Sequence, residues 1–122
     1  ELAFTNAGLN DPLLISEGTV NWVDGVGPKF PLGGVKETIY DEKKILLKSN
    51  DVLILFTDGI SEAQNHSRKM YGEESLKAFV EKLDTTDLSA KEIKESIIKD
   101  VKNFSGSARQ YDDMTVVVLR AV

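Results

Sequence analysis

Carboxylates carry most of the chemistry open to this chain. Thr57-Asp58-Gly59 follows directly on the apolar run Val52-Leu53-Ile54-Leu55-Phe56, and Tyr111-Asp112-Asp113 precedes the run Met114-Thr115-Val116-Val117-Val118-Leu119. If the two runs are neighbouring antiparallel strands, the end of one lies beside the start of the other. Asp58 then comes within reach of Asp112 and Asp113 despite their distance in sequence. Three carboxylates at one mouth of a sheet repel each other and stay ionised at little cost only beside cations. Oxygen ligands without thiolates favour hard ions, Mg²⁺ or Mn²⁺. A pair of such ions roughly 3.5–4 Å apart activates a water and clamps a phosphoryl group. The same residues also have a plainer reading: Asp-Gly after a strand is commonly a turn, and Asp-Asp before a strand is commonly a solvated loop.

The elements that must position these residues can be read from the hydrophobic pattern. Residues 52–56 are apolar at successive positions, which predicts a central strand buried on both faces. The same reasoning makes 114–119, rich in β-branched residues, a second central strand. Residues 45–47 and 52–56 flank Lys48-Ser49-Asn50-Asp51, which predicts a hairpin with Asn50 at positive φ. Short runs at 2–5, 13–15 and 19–23, separated by Asn6-Ala7-Gly8, Asn10-Asp11-Pro12 and Glu17-Gly18, predict short antiparallel strands. Two glycine-bearing stretches, Asp24-Gly25-Val26-Gly27-Pro28 and Pro31-Leu32-Gly33-Gly34, read as loops. They are not phosphate cradles, because no Lys-Ser or Lys-Thr follows and no helix opens behind them.

Two helices are expected after the central strand. Leu76, Phe79, Val80 and Leu83 form one stripe over 73–83, with Glu73 and Glu74 in the first turn, where the helix dipole favours negative charge. Ser89 with Glu92 is a capping box, Leu88 against Ile93 a hydrophobic staple, and Ile93, Ile97, Val101 and Phe104 the buried stripe of the second helix. Gly106 is its natural left-handed end. The fold class is α+β: an antiparallel sheet, part of a sandwich, with two adjacent helices on one face.

Composition narrows the chemistry further. At 122 residues the chain is of single-domain size, with 41% hydrophobic and 29% charged residues, the composition of a globular protein. Fifteen Lys and Arg against 20 Asp and Glu give −5, and without a basic cluster neither nucleic acid nor an anionic membrane surface is an expected partner. The longest apolar run, 52–56, is far short of the roughly 20 residues of a membrane span, so no membrane insertion is expected. There is no cysteine and one histidine, which removes thiolate sites and leaves a histidine triad without its parts. His66 lies in a polar stretch and reads as a solvated loop residue; Trp22 and Phe30 read as packing residues. Thr57-Asp58-Gly59 superficially matches the nucleophile loop of haloacid dehalogenase-like phosphatases, but that loop needs an Asp where this chain has Phe56.

Taken together, the motifs are similar to those of a known family. Asn6-Ala7-Gly8-Leu9-Asn10-Asp11-Pro12-Leu13-Leu14, Pro31-Leu32-Gly33-Gly34-Val35, the segment 51–63 around Thr57-Asp58-Gly59, Tyr71-Gly72, and Gln110-Tyr111-Asp112-Asp113-Met114-Thr115 occur in an ordered series. Their order and spacing resemble the SpoIIE-like (RsbU-like) branch of the PPM metal-dependent serine/threonine protein phosphatases, over nearly the whole chain. The resemblance implies an α-β-β-α sandwich with two Mn²⁺ or Mg²⁺ ions. It implies metal ligands at Asp58 and Asp112, with Gly59, Asp113 and Thr115 supporting them, and no covalent phosphoenzyme. It implies hydrolysis by metal-activated water of phosphoserine or phosphothreonine on a cytoplasmic regulator of anti-anti-sigma type.

Two departures qualify those expectations. Leu9 stands where the family usually has histidine. The family's first half, which supplies the bridging ligands, has no counterpart here. Residues 1–122 are therefore expected to be the C-terminal portion of one PPM-type phosphatase domain, N-terminally truncated, inactive by itself and prone to self-association through exposed sheet surface. The alternative is a pseudo-phosphatase or a binding module of sigma-factor signalling.

Overall fold

The structure, a computed structural model, describes residues 1–25 and 27–122. Val26, in the expected loop at 24–28, lies outside the described residues. Among the described residues six strands and three helices follow in order: β1 Leu2–Phe4, β2 Leu13–Ser16, β3 Thr19–Trp22, β4 Lys43–Ile45, β5 Val52–Phe56, α1 Asp58–Ser61, α2 Glu73–Lys82, α3 Ala90–Ser105 and β6 Val116–Arg120. The chain is α+β with two antiparallel sheets, one of four strands ordered β3-β2-β5-β6 and one of two, β1-β4. Helices α2 and α3 pack against the four-stranded sheet and each other.

Strand β5 is central, as its apolar run predicts. It pairs with β2 on one edge, Leu13 opposite Ile54, and with β6 on the other, Phe56 opposite Val116. Its alternate residues Val52, Ile54 and Phe56 join Leu13, Ile15, Ile93, Ile97 and Val101 in the core beneath the helices. Leu53, which alternation sends to the opposite face, is buried too. The helices form for the reasons their sequences offer. Leu76 and Val80 bury one stripe of α2, and Ile93, Ile97 and Val101 one stripe of α3. The Ser89 hydroxyl accepts the Glu92 N–H at 3.1 Å and the Glu92 carboxylate accepts the Ser89 N–H at 2.8 Å, completing the capping box. Gly106 ends α3 at φ 58°.

Three expectations need correction. Residues 45–47 do not form a hairpin with β5; β4 pairs with β1, Ile45 opposite Leu2. The intervening turn does exist, with Asn50 at φ 71° and the Lys48 N–H bonded to the Asp51 carboxylate at 2.8 Å. It passes the chain between sheets, because both edges of β5 are already occupied. The second apolar run starts its strand later, at Val116, and lies at the edge of the sheet rather than at its centre. Its outward residues Val117 and Leu119 are 47% and 39% exposed. Consecutive apolar residues report two apolar faces; they say nothing about how many edges are paired. Lastly, Trp22 packs against Phe56, with ring centroids 6.1 Å apart, but Phe30 is 45% exposed and is not a core residue.

Candidate metal centre

The β5–β6 register sets the site. Because Phe56 lies opposite Val116, the residues just past β5 meet those just before β6. The Thr57 N–H donates to the Thr115 carbonyl at 3.1 Å, and the Thr115 N–H returns to the Thr57 hydroxyl at 3.2 Å. That hydroxyl in turn donates to the Asp113 carbonyl at 3.4 Å. Thr57 therefore spends its side chain on the opposing segment. It is the N-cap residue of α1 but makes no side-chain cap bond.

Helix α1 begins at Asp58, which places that carboxylate in the first turn and in solvent. Gly59 behind it is buried. A Cβ built there would stand 2.0 Å from the Asp113 carbonyl oxygen, a backbone atom that cannot move aside cheaply. Only glycine lets the start of α1 lie against the 112–114 segment. The α1 turn, absent from the sequence expectations, is held from behind by the Tyr71-Gly72 motif. The Gly72 N–H donates to the Ser61 carbonyl and the Tyr71 N–H to the Ala63 carbonyl, each at 2.7 Å. The Tyr71 phenol donates to the Asp100 carboxylate of α3 at 2.5 Å; burial, then this bond, push its pKa up. Phe104 packs edge-on against the same ring at 5.5 Å.

The structure thus brings Asp58, Gly59, Asp113 and Thr115 to one end of the β5–β6 pair, with Asp112 adjoining. The Asp112 carboxylate accepts the N–H of Asp113 at 2.8 Å, and Gln110 donates to the Asp112 carbonyl at 2.8 Å. All three carboxylates are on exposed residues. The expected convergence of three carboxylates is a convergence of backbone: among the described residues no three Asp, Glu or His side chains gather closely enough to hold an ion. Asp113 turns its carbonyl, not its carboxylate, toward Thr57 and Gly59.

A cavity of about 330 Å³ opens beside this end, lined by Gly59, Met70, Lys102, Arg109, Tyr111 and Asp112 among others. Arg109 and Lys102 are cations absent from the sequence expectations. Arg109 stands three positions before Asp112, a proximity visible in sequence, and its guanidinium lies 5.7 Å from the Tyr111 ring centroid. Lys102 reaches the site only through the docking of α3. His66 is exposed, its Nε2 2.7 Å from the Ser107 hydroxyl, a tie between loops. Leu9 is 49% exposed in a loop closed by Asn6, whose side-chain carbonyl accepts the Gly8 and Leu9 N–H groups at 3.0 and 2.8 Å.

Comparison with known proteins gives this geometry its context. Protein IcfG of Synechocystis sp. is 27% identical over 121 residues, covering 97% of this chain and 18% of its own length. The PP2C phosphatase domain of the cell fate determinant SpoIIE from Bacillus subtilis, solved with a fragment of its regulatory domain, superposes with a TM-score of 0.77 at 28% identity. That match covers 97% of this chain and 33% of the solved one. A Mn-presoaked structure of the same phosphatase domain matches at 25% identity and a TM-score of 0.69, over 98% of this chain and 50% of that one. This chain therefore spans half or less of each of these relatives. The sequence profile described as Stage II sporulation protein E (SpoIIE) matches residues 1–122, the Thr57–Gly59 and Asp112–Thr115 segments included, and the chain belongs to that family.

Proposed function

We propose that this chain is the C-terminal portion of a PPM-type phosphatase domain that removes phosphate from phosphoserine or phosphothreonine on a regulatory protein of anti-anti-sigma type. The observation that carries the reading is the junction of the two acidic segments at one end of β5–β6, fixed by the Thr57–Thr115 bonds and the close approach of Gly59 to Asp113. Asp58 and Asp112 are the ligands we assign to Mn²⁺ or Mg²⁺. Both are hard, exposed oxygen donors, the chemistry those ions select. Bound divalent cations would neutralise phosphoryl charge and acidify water. The donor type fits, while among the described residues no three such side chains gather, and we assign the further ligands to the rest of the phosphatase domain. Gly59, Asp113 and Thr115 hold the two carboxylates at one end of the sheet. Arg109 and Lys102 provide positive charge in the adjoining cavity for an anionic substrate. We assign the activity to the cytoplasm, where a regulator of anti-anti-sigma type would be met.

The test is Mn²⁺-dependent turnover of p-nitrophenyl phosphate by the full-length protein. Asp58→Ala and Asp112→Ala are each expected to lower kcat/KM by at least about 100-fold, the upper end of what loss of mere supporting groups costs a metal site. Unchanged turnover in both would overturn the assignment. The 122-residue chain alone is expected to be inactive; robust turnover by it, abolished in Asp58→Ala, would contradict the short ligand count. A second reading, a binding module that holds a sigma-regulator partner without hydrolysis, is favoured by one observation: exposed Leu9 can neither bond phosphate nor pass a proton. Absence of turnover in the Mn²⁺-loaded full-length protein would select it.

A further inference from the structure

Helix α3 and strand β6 leave an open groove between them, about 760 Å³ in volume. Its floor is apolar, formed by Ile98, Met114 and Val116, and its rim carries Lys94, Lys99 and Lys102. This chain is acidic at −5, so a stretch with three lysines stands out. Two other helical lysines are paired along the surface, Lys77 with Glu81 and Lys91 with Glu95. Among the described residues Lys94, Lys99 and Lys102 enter no ion pair. Glu95, the one acid among the described residues lining the groove, lies 3.9 Å from Lys91. Lys94, Ile98 and Lys102 follow at four-residue spacing and share one helical face.

The groove also has a direction. Lys102 and Met114 line both it and the cavity at Asp112, so the two recesses adjoin. From Lys94 to Lys102 the helix rises about 12 Å, the length of about four residues of extended peptide.

We propose that this groove docks an acidic segment of a protein partner, which runs from Asp112 along the lysine rim toward Lys94. On the function proposed above, that partner is the phosphoprotein substrate and the segment flanks its phosphorylated residue. Apolar contacts to Ile98 and Val116 contribute affinity, and the lysines select for acidic sequence and speed encounter. Aryl phosphates, which lack a flank, do not use the groove.

The test uses fluorescence anisotropy of the full-length protein in EDTA, where no turnover occurs. The probes are two labelled peptides with one phosphoserine, flanked by about four glutamates or by the same number of glutamines. The glutamate peptide is expected to bind about tenfold more tightly at low salt, with the preference shrinking as salt rises. Lys94→Glu with Lys99→Glu should erase the preference, and Lys94→Arg with Lys99→Arg should retain it, which also controls for folding. Equal binding of the two peptides to the parent protein, or a preference that survives charge reversal, would overturn the proposal. Mn²⁺-dependent turnover of p-nitrophenyl phosphate, measured in parallel, separates the two readings. Peptide preference without turnover removes the phosphatase reading and leaves the docking groove; turnover without preference removes the groove alone.

Discussion

Gly59 is the residue on which the geometry of the site turns. Its missing side chain makes room for the Asp113 carbonyl, and through that contact Asp58 and Asp112 share one end of the sheet. Gly59→Ala forces backbone apart rather than a flexible side chain. It should cost about 1–3 kcal/mol in urea unfolding, the usual range for overpacking, and weaken Mn²⁺ binding by the full-length protein. Full stability with intact Mn²⁺ affinity would show that the two segments need not touch. That the segments around Asp58 and Asp112 meet was legible in sequence because each lies one residue from an apolar run. Lys102 was not, since nothing along the chain marks a helical lysine as a neighbour of Asp112; only the packing of α3 on β6 brings it there.

Among the elements, α3 does most to support both recesses, and its N-terminus is the easiest to weaken. Ser89→Ala removes the acceptor of the Glu92 N–H and should cost about 1 kcal/mol in a thermal or urea melt. The Ser89 N–H donated to Glu92 holds that carboxyl below the usual glutamate range in the folded state. A lowered folded pKa stabilises above the unfolded value and loses that contribution as pH falls through the folded one. The Glu92→Ala variant, which lacks the acceptor of the Ser89 N–H, and the parent should therefore give melting curves that converge as the pH drops below about 4, the unperturbed glutamate range. A difference that is constant from neutral to acid pH would refute this role for the Glu92 half of the box. The helix boundaries were readable because caps and stripe are local. The pairing of β4 was not, because a turn specifies that the chain reverses and not which strand receives it.

At the scale of the molecule, the helix-facing side of the four-stranded sheet is closed, and the opposite side, covered at Leu53 of β5, is open at β6. Val117 and Leu119 face outward from β6, and among the described residues no strand pairs with its outer edge. Exposed apolar residues along an open edge are a template for association. The isolated 122-residue chain is expected to self-associate in light scattering at high concentration, and Val117→Lys with Leu119→Lys should return it toward monomer. A clean monomer for the unmodified chain would count against this expectation.

What the sequence determined by itself is local or periodic. The two helical stripes, the Ser89 capping box, the burial of both faces of β5 and the acidic residues at two strand ends all depend on near neighbours, whose spacing the chain states outright. The ordered motifs carried the family as well. Only the tertiary structure decided the partners of each strand edge, the position of β6 at the rim of the sheet, the α1 turn buttressed by Tyr71-Gly72, and the lysine rim beside Asp112. Those depend on which surfaces meet after the core closes, and hydrophobic burial, being non-directional, selects faces without naming neighbours.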